Sequence, residues 1–126
     1  MLQKSVVTGA AWLEIAVGVT VIVAPNFLCV LLFATRPEGA GMPIARLAGI
    51  ALLALGISCL PSVQTGPRRN SVLGLVVYNV GAAILFAWVG VATALHGFLL
   101  WPAAILHAGI AAALLPQFLT RSSLAA

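Results

Sequence analysis

The chain has 126 residues, 63% of them hydrophobic and only 6% charged, with a mean hydropathy of +1.18. That composition excludes a soluble globular domain, and at about 20 apolar residues per spanning helix the length is used up by four spans with short connections. The net charge of +4 comes from scattered basic residues, so it reads as membrane topology, and no nucleic-acid partner is expected.

The first apolar segment runs from Ser5 to Ala24 and meets Pro25, whose ring removes a helix hydrogen bond and clashes with the preceding turn. Glu14 interrupts this segment and no small-residue cleavage site follows it, so the segment reads as a retained helix and not as a signal peptide. Glu14 is one of two acidic residues in the chain. A charge at mid-bilayer costs on the order of 3 kcal/mol on insertion scales, so such a residue faces protein or water and is a functional candidate by default. Ala10 and Gly18 lie one turn to either side on the same face, and small residues there predict close approach of a second helix.

Asn26 to Ala34 is apolar but too short to cross a bilayer. Phe27, Val30, Leu31 and Ala34 share one face, which suits an interfacial or re-entrant helix or a continuation of the first span beyond a kink. Thr35 to Met42 is a polar turn. The second span opens at Pro43, passes through Ala45-Arg46-Leu47-Ala48-Gly49 and ends near Leu60, before Pro61. Ser62 to Asn70, with Gly66-Pro67-Arg68-Arg69, is the most polar connection. The third span covers Ser71 to Leu95, His96-Gly97 forms a tight turn, and the fourth span covers Phe98 to Leu115, closed by Pro116 and followed by a tail carrying Arg121.

The expected fold is therefore a single all-α integral membrane domain, four transmembrane helices in an antiparallel bundle with a short interfacial or re-entrant helix after the first span. Lys4, Arg68, Arg69 and Arg121 fall on one side, against Arg36 and Arg46 on the other. The positive-inside rule then puts both termini in the cytoplasm, with Trp88 and Trp101 at the outer interface. Gly9-Ala10-Ala11 is echoed by Gly81-Ala82-Ala83, and Ala-Gly-Ile-Ala occurs at both Ala48 and Ala108. A duplicated hairpin would explain these echoes, but the first pair lies roughly 10 Å apart in depth at 1.5 Å per residue, and Gly/Ala/Val/Leu sequences match easily by chance.

Counting helix rise from the cytoplasmic edge places Glu14 and Asn79 at roughly 12 Å, His107 at roughly 20 Å and Arg46 at roughly 25 Å. With Tyr78, these residues form a candidate proton or ligand site, a polar column drawn from four helices. Glu14 and Arg46 are too far apart for a direct ion pair, which leaves Asn79, Tyr78 or water to partner Glu14. Each member also has a plainer role: Arg46 can snorkel as an anchor, His107 can bond a carbonyl or Asn79, and Tyr78 and Asn79 can act as interhelical glue.

Cys29 and Cys59 form no C-x-x-C pair, and both read as packing residues. His96 and His107 sit about three turns apart in depth and cannot clamp a haem between them. No nucleotide loop, metal-ligand cluster or catalytic triad spacing occurs, so a soluble-type enzyme is set aside and no resident metal or cofactor is expected, a quinone being the one cofactor left open.

Gly9 to Thr20, with its membrane glutamate Glu14 in the first of four short-chain helices, resembles the small multidrug resistance transporters. That resemblance implies proton exchange for hydrophobic cations at Glu14, while Val77-Tyr78-Asn79-Val80-Gly81-Ala82 departs from the Trp and glycine motif of their third helix. A first helix ending in Pro25, a short apolar segment and a second helix opening with Ala45-Arg46-Leu47-Ala48-Gly49 are similar to small four-span bacterial membrane proteins loosely described as DoxX-like; this resemblance concerns the fold. Three functional readings follow. The first is an accessory or structural subunit, in a homo-oligomer or larger membrane complex, whose polar cluster binds a hydrophobic small molecule. The second is a proton-coupled small-molecule transporter using Glu14, and the third a quinone-linked redox helper with the head group among Tyr78, His107 and Arg46.

Overall fold

The computed structural model describes residues 2–62 and 68–116; the expected Gly66-Pro67 turn and the tail with Arg121 lie outside them. Among the described residues the chain forms α1 (Leu2–Val23), α2 (Pro25–Phe33), α3 (Gly41–Cys59), α4 (Arg68–Ala92) and α5 (Leu100–Leu114), and no strand. Lys4–Val23, Gly41–Cys59 and Asn70–Ala92 are long and apolar enough to cross a membrane, while Leu100–Leu114 is apolar but shorter.

The side chains are distributed inside out relative to a water-soluble bundle. Glu14, Asn79 and His107 are buried, whereas Trp12, Phe27, Leu47, Val77, Ile84 and Ile105 stand on the surface. Polar groups turned inward and large apolar groups turned outward suit a hydrocarbon surround, in which an exposed leucine costs nothing and an exposed carboxyl costs several kcal/mol.

Two tight helix pairs make up the molecule. α1 packs most extensively on α3 and α4 on α5, with sparser contacts between the pairs. The α1–α3 seam runs over Ala11 and Gly18 on one helix and Gly49 and Gly56 on the other, each pair a heptad apart and paired in opposite order. A Cβ on Gly56 would stand 2.6 Å from the Ala11 carbonyl oxygen, and one on Gly18 would stand 2.8 Å from that of Gly49. Absence of side chains is thus what lets the two backbones touch. In the second pair the Trp101 ring fills the space over Gly90, where a Cβ would lie 2.8 Å from the indole.

A buried cluster of Val7, Ala10, Ala11, Cys59, Val72, Leu75, Val76 and Leu114 ties α1, α3, α4 and α5 together at one end. This end holds the start of α1 and the end of α5. Toward the opposite end the two pairs diverge, and α2 covers the gap.

Several element ends differ from the expected ones for local reasons. Pro25 does not merely stop α1; it occupies the first turn of α2, after Ala24 leaves helical geometry at φ −132. α2 ends at Ala34, which adopts the left-handed conformation at φ 55 and donates its N–H to the Val30 carbonyl. α4 stops at Ala92 instead of Leu95, because the Thr93 hydroxyl donates to the Val89 carbonyl at 2.8 Å and accepts the Leu95 N–H at 3.1 Å, turning the chain. The His96-Gly97 turn is consequently part of a longer connector before α5. Pro43 is the third residue of α3, and Pro102 is the third residue of α5. The turns before these helices are built alike, with Gly41 N–H to Glu38 O and Ile44 N–H to Ala40 O matched by Leu100 N–H to Gly97 O and Ala103 N–H to Leu99 O.

Candidate ligand site between the helix pairs

A cavity of about 430 Å³ occupies the gap between the two pairs, within the range of about 300–1,000 Å³ usual for small-molecule sites. Its walls are Leu13, Glu14, Val17 and Val21 of α1, Ala45, Ala48 and Leu52 of α3, Tyr78 and Phe86 of α4, and Ala103, Leu106 and His107 of α5. Leu28, Cys29, Leu32 and Phe33 of α2 roof it. The roofing face is thus not the Phe27, Val30, Leu31 and Ala34 stripe singled out in the sequence, since Phe27, Val30 and Ala34 point outward.

The roof is fastened from the far pair. Gly97 N–H donates to Leu32 O at 3.0 Å and Leu99 N–H to Leu31 O at 2.8 Å. The connector between α4 and α5 thereby satisfies two of the carbonyls that the last turn of α2 leaves open. Gly97 is required for this approach, because a Cβ there would overlap the backbone of Leu31 and Leu32.

One side is not closed by protein. α3 and α5 make almost no contact with each other, and the cavity-wall residues Ala48, Pro102 and Leu106 are exposed. The cavity therefore opens sideways, between α3 and α5, onto the apolar outer surface.

The polar end is built from three buried residues on three helices. Glu14 is 1% exposed, Asn79 0% and His107 8%. Asn79 organises them. Its Nδ2 donates to the Leu75 carbonyl at 2.8 Å on its own helix. Its Oδ1 accepts the Nδ1–H of His107 at 2.7 Å. Rise counting separated His107 from Asn79 by roughly 8 Å, but it ignores helix tilt and the reach of two side chains, and these close the distance. The Tyr78 ring meets the imidazole edge-on at 5.5 Å between centroids. Phe86 flanks it at 5.6 Å, and Phe33 on the roof contacts Phe86 at 6.1 Å.

One buried oxygen has no hydrogen-bond partner among the described residues, Glu14 Oε1. Leaving a buried acceptor unpaired costs about 1–3 kcal/mol, more for a charged group, so a carboxyl kept in that state at the wall of a cavity is poorly explained by packing alone.

Of the sequence-level candidates, Glu14, Asn79, Tyr78 and His107 come together. Arg46 does not join them: it is exposed, about 100° of helix rotation away from Ala45, which does line the cavity. The polar column thus stops short of the rim. Sequence reasoning passed over Phe33, Phe86 and Cys29 as site residues, since an aromatic or a thiol in an apolar helix carries no periodic signal separating a cavity wall from a lipid face. No family model, curated protein or solved structure matches the chain, so the functional reading rests on this geometry.

Proposed function

We propose that this chain is a four-span integral membrane protein that holds a small, mainly apolar molecule in the cavity between its two helix pairs. In this reading α5 completes an antiparallel bundle as the fourth span, and the closed end, where α1 and α4 begin, faces the cytoplasm. The observation that carries the proposal is the buried carboxyl of Glu14, with Oε1 unpartnered among the described residues, at the wall of a cavity that is lined mainly by apolar side chains apart from Tyr78 and His107 and is open sideways. A ligand can reach such a site from the lipid without passing through water.

Native mass spectrometry of wild type and Glu14→Gln released from lipid nanodiscs tests it. A co-purified small molecule present on the wild type and lost from Glu14→Gln is the expected result. Wild-type protein that carries no small molecule, whatever its lipid source, overturns it.

A role as an accessory subunit or homo-oligomer is supported by α5, whose outward side carries Ala108, Gly109, Ala112 and Ala113, small enough for close approach of another helix. The same spectra report that role as a defined oligomer or a retained partner. Proton-coupled transport would add movement to binding and requires that Glu14→Gln abolish a proton-linked flux while the fold persists. The quinone reading has the least support, because Arg46 lies off the cavity wall.

A further inference from the structure

The hydrogen bonds at the polar end have only one consistent direction. The Leu75 carbonyl can only accept, so the atom 2.8 Å from it is the amide nitrogen of Asn79. The other amide atom, 2.7 Å from the His107 ring, is therefore the oxygen, and His107 Nδ1 must carry the proton it donates there. A neutral imidazole with its proton on Nδ1 has a bare lone pair on Nε2.

Nε2 makes no hydrogen bond among the described residues, and it does not count among their sealed and unpaired atoms, of which Glu14 Oε1 is the single case. It therefore faces free space, and His107 is a wall residue of the cavity. The polar end thus presents a fixed acceptor. Glu14 lines the same cavity, and its carboxyl accepts when ionised and donates when protonated. The rings of Tyr78 and Phe86 flank the imidazole, and Tyr78 is itself a wall residue of the cavity.

Resting on the cavity reading above, we infer that the site selects molecules whose head group donates a hydrogen bond, with His107 Nε2 as the selecting acceptor: an apolar chain ending in a primary amine or a hydroxyl. Either head donates to Nε2 and still meets Glu14 in either of its protonation states. An ether cannot donate, and a quaternary ammonium brings charge without an N–H, so both leave Nε2 desolvated and unpaired. The selection is set through Asn79, which holds the histidine tautomer and is a positioning residue.

The test is a matched series of single-chain probes added to nanodisc-embedded protein: octylamine, 1-octanol, its isomer heptyl methyl ether, and octyltrimethylammonium. Bound probe is read as adducts by native mass spectrometry. Adducts on an Ala48→Phe variant, designed to obstruct the sideways opening of the cavity with a ring, give the background from lipid partition. Octylamine and octanol are expected to bind at least about tenfold more tightly than the ether and the quaternary ammonium. In His107→Gln, whose amide offers both a donor and an acceptor, the difference between octanol and the ether is expected to collapse.

If the ether or the quaternary ammonium binds wild type within about threefold of octylamine, donor selection is wrong while the cavity reading stands. If no probe exceeds the Ala48→Phe background, the cavity reading falls and donor selection falls with it. Discrimination that survives unchanged in His107→Gln removes the histidine as the selecting group.

Discussion

Replacing Gly56 by Ala sets two effects of opposite sign against each other. In a helix interior, Ala is favoured over Gly by about 1 kcal/mol. The new Cβ, however, would lie 2.6 Å from the Ala11 carbonyl oxygen, 2.7 Å from Ile15 Cγ1 and 3.0 Å from the Ile15 nitrogen. Ordinary contact between such atoms starts near 3.5 Å, so α1 and α3 must part by almost 1 Å, and a gap of that size forfeits about a quarter to a half of each contact's attraction. Two of the three obstructing atoms are backbone, which no rotamer change can move aside, and the displacement also opens the Gly18–Gly49 contact on the same seam. Overpacking of this kind costs about 1–3 kcal/mol. Gly81→Ala supplies the comparison, because Gly81 is exposed on α4 and a Cβ there meets nothing within 4 Å. Both variants gain the same helix propensity, so their difference isolates the seam: Gly56→Ala should be less stable than Gly81→Ala by about 1–3 kcal/mol. Reversible unfolding of the two proteins in mixed micelles, followed by circular dichroism across an SDS titration, measures that difference. Equal midpoints, or a more stable Gly56→Ala, would refute the claim that backbone contact through Gly56 holds α1 on α3.

Three other substitutions probe the site and its roof. Glu14→Leu removes an unpaired buried oxygen, so it should be neutral to stabilising, by up to about 1–2 kcal/mol in the same titration, while abolishing the small-molecule adduct; a loss of stability would mean that the carboxyl is a structural tie. Ala34→Gly relieves a left-handed alanine at the end of α2 and should stabilise by about 1 kcal/mol; an unchanged or lowered midpoint would show that this conformation carries no strain. Gly97→Ala should break the fastening of α2, so that amide exchange at Gly97's replacement and at Leu99 accelerates while the amides of the α1–α3 seam stay protected. Uniform protection after that change would show that the approach tolerates a side chain.

The membrane character of this protein is written in its amino-acid sequence, because the hydrophobic effect counts apolar area and needs no geometry. The three long helices, the break at Pro25 and the roles of Pro43 and Gly18 were legible for a related reason: proline and glycine act on the backbone at their own position. Glu14 and Asn79 were legible as buried polar residues at a similar depth, since axial rise is fixed at 1.5 Å per residue.

What periodicity leaves open is the rotation of each helix about its axis relative to its neighbours. In a chain that is apolar on all sides, hydrophobic patterning gives that angle no preference. Close contact between small residues supplies it instead, as at the Gly18–Gly49 and Ala11–Gly56 seam. That seam turns Ala45 and Ala48 toward the cavity and carries Arg46 out of it, although all three lie within one turn. The same holds for α2, whose inward face was settled by backbone hydrogen bonds from Gly97 and Leu99, groups remote in the chain and adjacent only after folding. The direction of the proton on His107 is likewise a tertiary property, since it follows from a carbonyl on α4 acting through Asn79 on a ring carried by α5.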